Sequence, residues 1–196
     1  MFPLLISTRN LDKIKELRNL LAPIGVAVHS MEAFPGCPET IEDKDSIFGN
    51  AIKKACEGAS YSGMLCLADD TGLFIDALGG DPGVYSARWA GPGATYQDNR
   101  RKTLIQMDGI TERRAYFRTA MALADASGLI SVVQGEVPGF ITEIERGDAG
   151  FGYDSIFEVE GTGKTFAEMS DAQKNHQSHR GLALTSILPI LQRLVS

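Results

Sequence analysis

Asp69 and Asp70 follow directly on the apolar run 64–68. Two carboxylates at the end of a strand stand where open α/β folds hold their ligands. Neighbouring side chains in extended chain point opposite ways, so one carboxylate can face a cleft while the other braces the structure. Oxygen ligands alone suit a hard cation such as Mg²⁺, held by one or two carboxylates together with substrate phosphates. The plain structural alternative is a turn-forming pair before Thr71-Gly72. Upstream, a first strand feeds Thr8-Arg9-Asn10-Leu11-Asp12-Lys13. There the unpaired N–H groups and dipole of a helix start offer a phosphate seat beside a lysine. The G-x-x-x-x-G-K-[ST] pattern is absent, so this is no P-loop, and a simple helix cap with a solvated lysine is the alternative. An acidic stretch with Glu39, Glu42, Asp43 and Asp45 precedes Asn50 and Lys54. Downstream, Phe151-Gly152-Tyr153-Asp154 combines aromatic faces able to sandwich a base with an acid able to accept from its N–H groups. Lys174 and Ser178-His179-Arg180 lie near helix starts. His176 and His179 have a spacing that zinc could use, but no further ligands accompany them.

These residues need elements to position them. Residues 2–7 read as a first strand, followed by a helix to about residue 21 with Leu11, Ile14, Leu17 and Leu21 on one face. Pro23 and Gly25 end it. Residues 26–29 form a second strand and 33–45 a loop. A helix over about 46–60 puts Phe48, Ile52, Ala55 and Ala59 on one side. The strand 64–68 ends at the aspartate pair, with a further short extended piece over 73–78. The Gly- and Pro-rich stretch 79–93 is a shaped loop, and 98–107 a helix. Residues 116–124 and 129–137 form a hairpin, with strands over 140–145 and 155–159 after it. Ser170 and Gln173 fit a capping box, and about 178–195 is an amphipathic helix kinked at Pro189. Helices interleave with strands early and a meander follows, so the expected fold is a mixed sheet flanked by helices, built as one domain over 1–196.

The bulk composition excludes several classes. In 196 residues, 43% are hydrophobic and 22% charged, an ordinary globular balance that argues against disorder and fibrous repeats. The net charge of −6 speaks against broad nucleic-acid binding. No apolar run is long enough for a membrane helix, and the first ten residues lack the layout of a secretory signal. Three cysteines, Cys37, Cys56 and Cys66, without a C-x-x-C, argue against a disulfide framework and fit a reducing cytoplasm.

Taken in order, the motifs resemble those of the inosine triphosphate pyrophosphatase family, which clears aberrant purine nucleotides. The resemblance is carried by Thr8 to Lys13, by Ser46-Ile47-Phe48-Gly49-Asn50-Ala51 with Lys54, by Ala68-Asp69-Asp70-Thr71-Gly72-Leu73, and by the block from Asp76 to Arg88. It continues in Gly150-Phe151-Gly152-Tyr153-Asp154, Thr165-Phe166-Ala167-Glu168-Met169, Lys174 and Ser178-His179-Arg180. It implies an elongated α/β fold with two lobes around a mixed sheet, a central cleft and a homodimer. It also implies Mg²⁺-dependent hydrolysis of ITP, dITP and XTP between the α- and β-phosphates, giving a nucleoside monophosphate and pyrophosphate. Position by position, Thr8, Asn10, Lys13 and Lys54 match phosphate-gripping residues and Thr71 a substrate-contacting hydroxyl. Glu42 matches the metal-binding glutamate, with Glu39 and Asp43 as alternatives. Asp70 matches the aspartate that serves both the metal and water activation. Phe151, Gly152, Tyr153, Asp154, Lys174, His179 and Arg180 match the nucleoside and base pocket. Arg9, Asp12 and Lys44 stand where the pattern has glycine, the expected aromatic near 47–48 is shifted by one, and Ser155 replaces a proline. Rival readings are a pyrophosphatase for other modified or standard nucleotides and a non-catalytic nucleotide-binding module. Base choice would follow donor and acceptor matching: Lys174 or Arg180 aimed at an O6 acceptor would meet adenine's amine donor to donor.

Overall fold

A computed structural model describes residues 1–195. Strand β1 (Pro3–Ile6) leads into helix α1 (Leu11–Leu21), and β2 (Ala27–Ser30) follows. Asn10 caps α1 by accepting from the amides of Asp12 and Lys13. Ile14, Leu17 and Leu21 are buried, whereas Leu11, read from its spacing as part of that face, is exposed in the first turn. Gly25 closes the chain behind α1 with φ of 74°, a left-handed conformation that suits glycine.

Helix α2 (Ile47–Ser62) corrects the expected apolar face. Its buried stripe is Ile47, Asn50, Ala51, Lys54, Ala55, Gly58 and Ala59, at helical spacing, and Phe48 and Ile52 are only half-buried. Two polar residues occupy core positions because their heads meet polar partners inside, so an apolar count misses the stripe.

Strand β3 (Leu65–Ile75) runs unbroken through the aspartate pair. Asp69 and Asp70 therefore lie in mid-strand and not beyond the strand's end, and the separate piece expected over 73–78 is the rest of β3 and a 3₁₀ turn (Asp76–Leu78). The short β4 (Pro82–Gly83) pairs antiparallel with β3, and α3 (Tyr96–Gln106) starts from a Thr95–Asp98 capping box. Strands β5 (Arg114–Asp125) and β6 (Gly128–Ile141) follow, the tight connection held by the Ser127 amide donating to Asp125 at 2.8 Å. Of the strand expected over 140–145 only residues 140–141 are extended, as the end of β6, and β7 (Phe157–Val159) is shorter than the expected 155–159. Helix α4 (Asp171–Gln177) has the expected Ser170–Gln173 capping box, and α5 (His179–Val195) continues through Pro189.

The strands pair in the order β2-β1-β3-β5-β6-β7, with β4 off this path on β3. Both neighbours of β1 run parallel to it, and β7 runs antiparallel to β6. The mixed sheet with helices agrees with the expected fold class. The chain folds into two compact units: Met1–Asp70 with Thr119–Gly135 and Arg180–Ser196, and Thr71–Arg118 with Glu136–His179. The first has its own core around Leu4, Ile6, Leu17, Leu67, Met121 and Leu184. The second packs around Leu73, Phe117, Tyr153, Phe157 and Phe166. Among the described residues no helix is long and apolar enough to cross a membrane.

Candidate functional site

The first unit gathers charges on the two faces of β3. Strand alternation sends Asp69 and Asp70 to different partners. Asp70 Oδ1 accepts from Lys54 Nζ at 3.0 Å, and Asp70 Oδ2 from Asn50 Nδ2 at 3.2 Å. The same Lys54 ammonium reaches Glu42 Oε1 at 2.8 Å, so two carboxylates from distant segments meet on one cation. Burial works against the charge on Lys54, but Asp70 and Glu42 outweigh it and hold its pKa above the ordinary lysine value. Burial also pushes the Asp70 carboxyl up, and the neighbouring Lys54 and Lys13 only partly offset this.

Asp69, 1% exposed, pairs with Lys13 Nζ at 3.0 Å and with Arg180 Nη2 at 3.1 Å. Burial opposes its ionisation, yet Lys13 and Arg180 together hold its carboxyl well below the usual carboxylate range. Lys13 itself is pushed down, first by burial and then by the charges of Lys54 and Arg180, against the pull of Asp69. Arg180 also donates from Nη1 to Glu16 on α1. The structure thus places Arg180, expected with the nucleoside pocket, on two carboxylates of the first unit, its guanidinium buried between them. Asn10 serves as the α1 cap, and Thr8 accepts from the Asn10 amide at 3.2 Å, which orders the strand-to-helix junction.

The three candidate acids of the loop over 34–46 separate clearly. Glu42 turns to Lys54, Asp43 pairs with Lys53 at 2.9 Å on an exposed face, and Glu39 is exposed. Adjacent lysines on a helix point about 100° apart, so Lys53 and Lys54 sort the neighbouring acids. Among the described residues no group of three or more His, Cys, Asp or Glu is arranged for a metal. Glu42 and Asp70 offer two oxygen donors already converging on a positive charge. That donor set fits an ion of the Mg²⁺ kind, which completes its shell with water and phosphate oxygens.

The second unit holds the aromatic group. Lys174 Nζ contacts Asp154 Oδ2 at 2.7 Å and lies 4.7 Å from the centre of the Phe151 ring. The Phe151 amide donates to the same Asp154 oxygen at 2.8 Å. Gly150, at φ of +76°, is required here because a Cβ would stand 2.1 Å from Asp154 Oδ2. The Gly152 carbonyl accepts from Arg100 at 3.0 Å. The Tyr153 hydroxyl donates to the Ser86 carbonyl at 2.7 Å, and burial pushes its pKa up. His179 stacks on Phe117 with centroids 4.7 Å apart and meets the Phe166 edge, in keeping with a buried core position. Thr71, on β3, is half-buried. Glu16 and Arg100 were not singled out from the sequence, and Asn50 was named in a motif without a role of its own. For Asn50 the available signal is its place four residues before Lys54, one turn away on the same helix face.

Comparison with known proteins finds relatives across nearly the whole chain. A protein of Desulforamulus reducens named dITP/XTP pyrophosphatase is 45% identical over 97% of this chain and 96% of its own. One of Geobacter sulfurreducens with the same name is 42% identical over 94% of each. Among solved structures, a HAM1 protein from Coxiella burnetii superposes with a TM-score of 0.88 at 33% identity, covering 98% of this chain and 100% of the other. A nucleoside-triphosphatase, dITP/XTP pyrophosphatase, from Mycobacterium abscessus gives 0.77 at 40% identity, covering 96% and 100%. The sequence model of the Ham1 family matches residues 4–190, and with these relatives it shows that the chain belongs to the Ham1 family.

Proposed function

We propose that this chain hydrolyses aberrant purine nucleoside triphosphates, ITP, dITP and XTP, to the nucleoside monophosphate and pyrophosphate. The observation that carries the reading is the meeting of Glu42 and Asp70 on Lys54 inside the first unit, with the Lys13–Asp69–Arg180 cluster on the other face of the same strand. The relatives named dITP/XTP pyrophosphatase support it.

Thr8, Asn10 and the N-terminal amides of α1 would seat phosphate oxygens, with Lys13 supplying charge. Glu42 and Asp70 would hold Mg²⁺. Bound there, the ion would neutralise phosphate charge and ease water deprotonation. Lys54 keeps the two carboxylates together before substrate arrives and then has an ammonium to offer to phosphate. Asp70 would take the proton of the attacking water. The α,β-anhydride bond breaks and pyrophosphate leaves. No covalent intermediate is called for.

In the second unit, Phe151 would stack on the base, and Lys174 would donate to the O6 acceptor of hypoxanthine or xanthine. Adenine presents an amine there, and a buried donor left facing a donor discriminates strongly. Thr71, Gly152, Tyr153, Asp154 and His179 would shape this pocket. Neither unit is continuous in sequence, so the chain is taken as one catalytic domain. A homodimer in a reducing cytoplasm completes the reading. The test is pyrophosphate release from ITP, XTP, dITP, ATP, GTP and pyrimidine triphosphates, each with and without Mg²⁺. Mg²⁺-dependent preference for the first three is expected. Equal turnover of ATP would favour a general pyrophosphatase, and none with any substrate a binding module.

A further inference from the structure

Asn50 sits on the buried stripe of α2, 0% exposed, one turn before Lys54. Both ends of its amide are engaged. Nδ2 donates to Asp70 Oδ2 at 3.2 Å, and Oδ1 accepts from the Lys44 amide at 3.0 Å. Lys44 lies two residues after Glu42, in a loop otherwise tied to α2 by Lys53, which donates to the Ile41 carbonyl at 2.8 Å, and by Lys54. One rigid planar group therefore touches the strand that carries Asp70 and the loop that carries Glu42.

A carboxamide holds a donor and an acceptor fixed side by side on one plane. The donor end fixes the rotation of the Asp70 carboxylate, which leaves Oδ1 for Lys54. The acceptor end fixes the loop at Lys44 and thereby the reach of Glu42. We infer that Asn50 is a positioning residue that sets the two carboxylates at the spacing the reaction uses, without touching substrate itself. The inference rests on the proposed hydrolysis for its kinetic consequence but not for its effect on cation binding. Groups that orient ligating carboxylates characteristically change metal affinity or activity by about 10–100-fold when removed.

The test uses Asn50→Leu, which keeps the branched shape, is somewhat larger and removes both hydrogen bonds, against Ala51→Gly, which weakens the same helix with no link to Asp70. Both are compared with the parent protein in circular-dichroism melts, in ITP kinetics with Mg²⁺, and in Mn²⁺ titration of the protein without nucleotide. Asn50→Leu is expected to lower kcat by about 10–100-fold with KM changed far less, and to weaken Mn²⁺ binding by about 10-fold. Ala51→Gly should lower the melting temperature but leave kcat and Mn²⁺ affinity at the parent values. The inference is overturned if Asn50→Leu keeps kcat and Mn²⁺ affinity within twofold of the parent, or if Ala51→Gly at equal stability loses as much. Should the parent itself release no pyrophosphate, the hydrolysis reading fails separately and the Mn²⁺ titration decides alone. Weaker binding by Asn50→Leu would then sustain the positioning role, and equal binding would end it.

Discussion

Asp69→Asn is the most informative single perturbation of the buried charge cluster. The side chain keeps its shape but loses its negative charge, which removes that carboxylate from Lys13 and from Arg180, while Arg180 keeps Glu16. Removing one member of a buried pair costs about 3–5 kcal/mol, chiefly because the partner charge stays behind uncompensated. Since Arg180 retains Glu16, the lower end applies, about 3 kcal/mol. In a chain of this length each kcal/mol moves the melting temperature by about 2–4 °C, so a fall of roughly 6–12 °C is expected near pH 7. The sign of the pH dependence is also determined. Asp69 is held below its unfolded value, so the folded state stays ionised where the unfolded state takes up a proton. Its contribution is present above about pH 4 and erodes as pH falls further, so the gap between parent and variant should narrow between pH 7 and pH 3. Asp43→Asn, at the exposed pair with Lys53, is the control and should shift the melting temperature by less than about 2 °C. Thermal melts followed by circular dichroism across this range decide. A fall under 2 °C for Asp69→Asn, or a gap that stays constant with pH, would show that the Asp69 charge does not stabilise the fold.

Asp70→Asn should reduce kcat by about 10²–10⁴-fold while ITP binding, followed by calorimetry, survives; near-normal turnover would remove Asp70 from proton transfer. Lys174→Ala should erode the preference for ITP over GTP in kcat/KM, and an unchanged ratio would take Lys174 out of base recognition. Gly150→Ala should force the Asp154 carboxylate away from Lys174 and the Phe151 amide, raising the KM for ITP several-fold and costing roughly 1–3 kcal/mol of stability. A KM and melting temperature equal to the parent's would show that the turn tolerates a side chain.

Features governed by local chemistry were legible in the sequence: the Ser170–Gln173 cap, the Ile14-Leu17-Leu21 part of the first helix face and the hairpin at Asp125–Gly128. Errors fell where polar residues are buried. Aspartate is disfavoured in strands, so a strand ending at residue 68 was the local expectation. In the structure β3 continues because Asp69 and Asp70 find cations on α1, α2 and α5, partners separated by up to 111 residues in the chain. For the same reason the buried stripe of α2, with Asn50 and Lys54 in it, was misread as one through Phe48 and Ile52. The choice among Glu39, Glu42 and Asp43 stayed open because it depends on which of two adjacent lysines each acid meets. Arg180, matched with His179 to the nucleoside pocket, meets Asp69 and Glu16, contacts that no local pattern announces.

In the proposed reaction the carboxylates gathered on Lys54 serve cleavage of a purine triphosphate at the α,β-anhydride. Its most direct test is the product pattern from ITP in the presence of Mg²⁺, resolved by ³¹P spectroscopy. Inosine monophosphate and pyrophosphate are expected in equal amounts, with both lost on omission of the metal. Inosine diphosphate with inorganic phosphate, or unchanged ITP, would contradict cleavage at that bond.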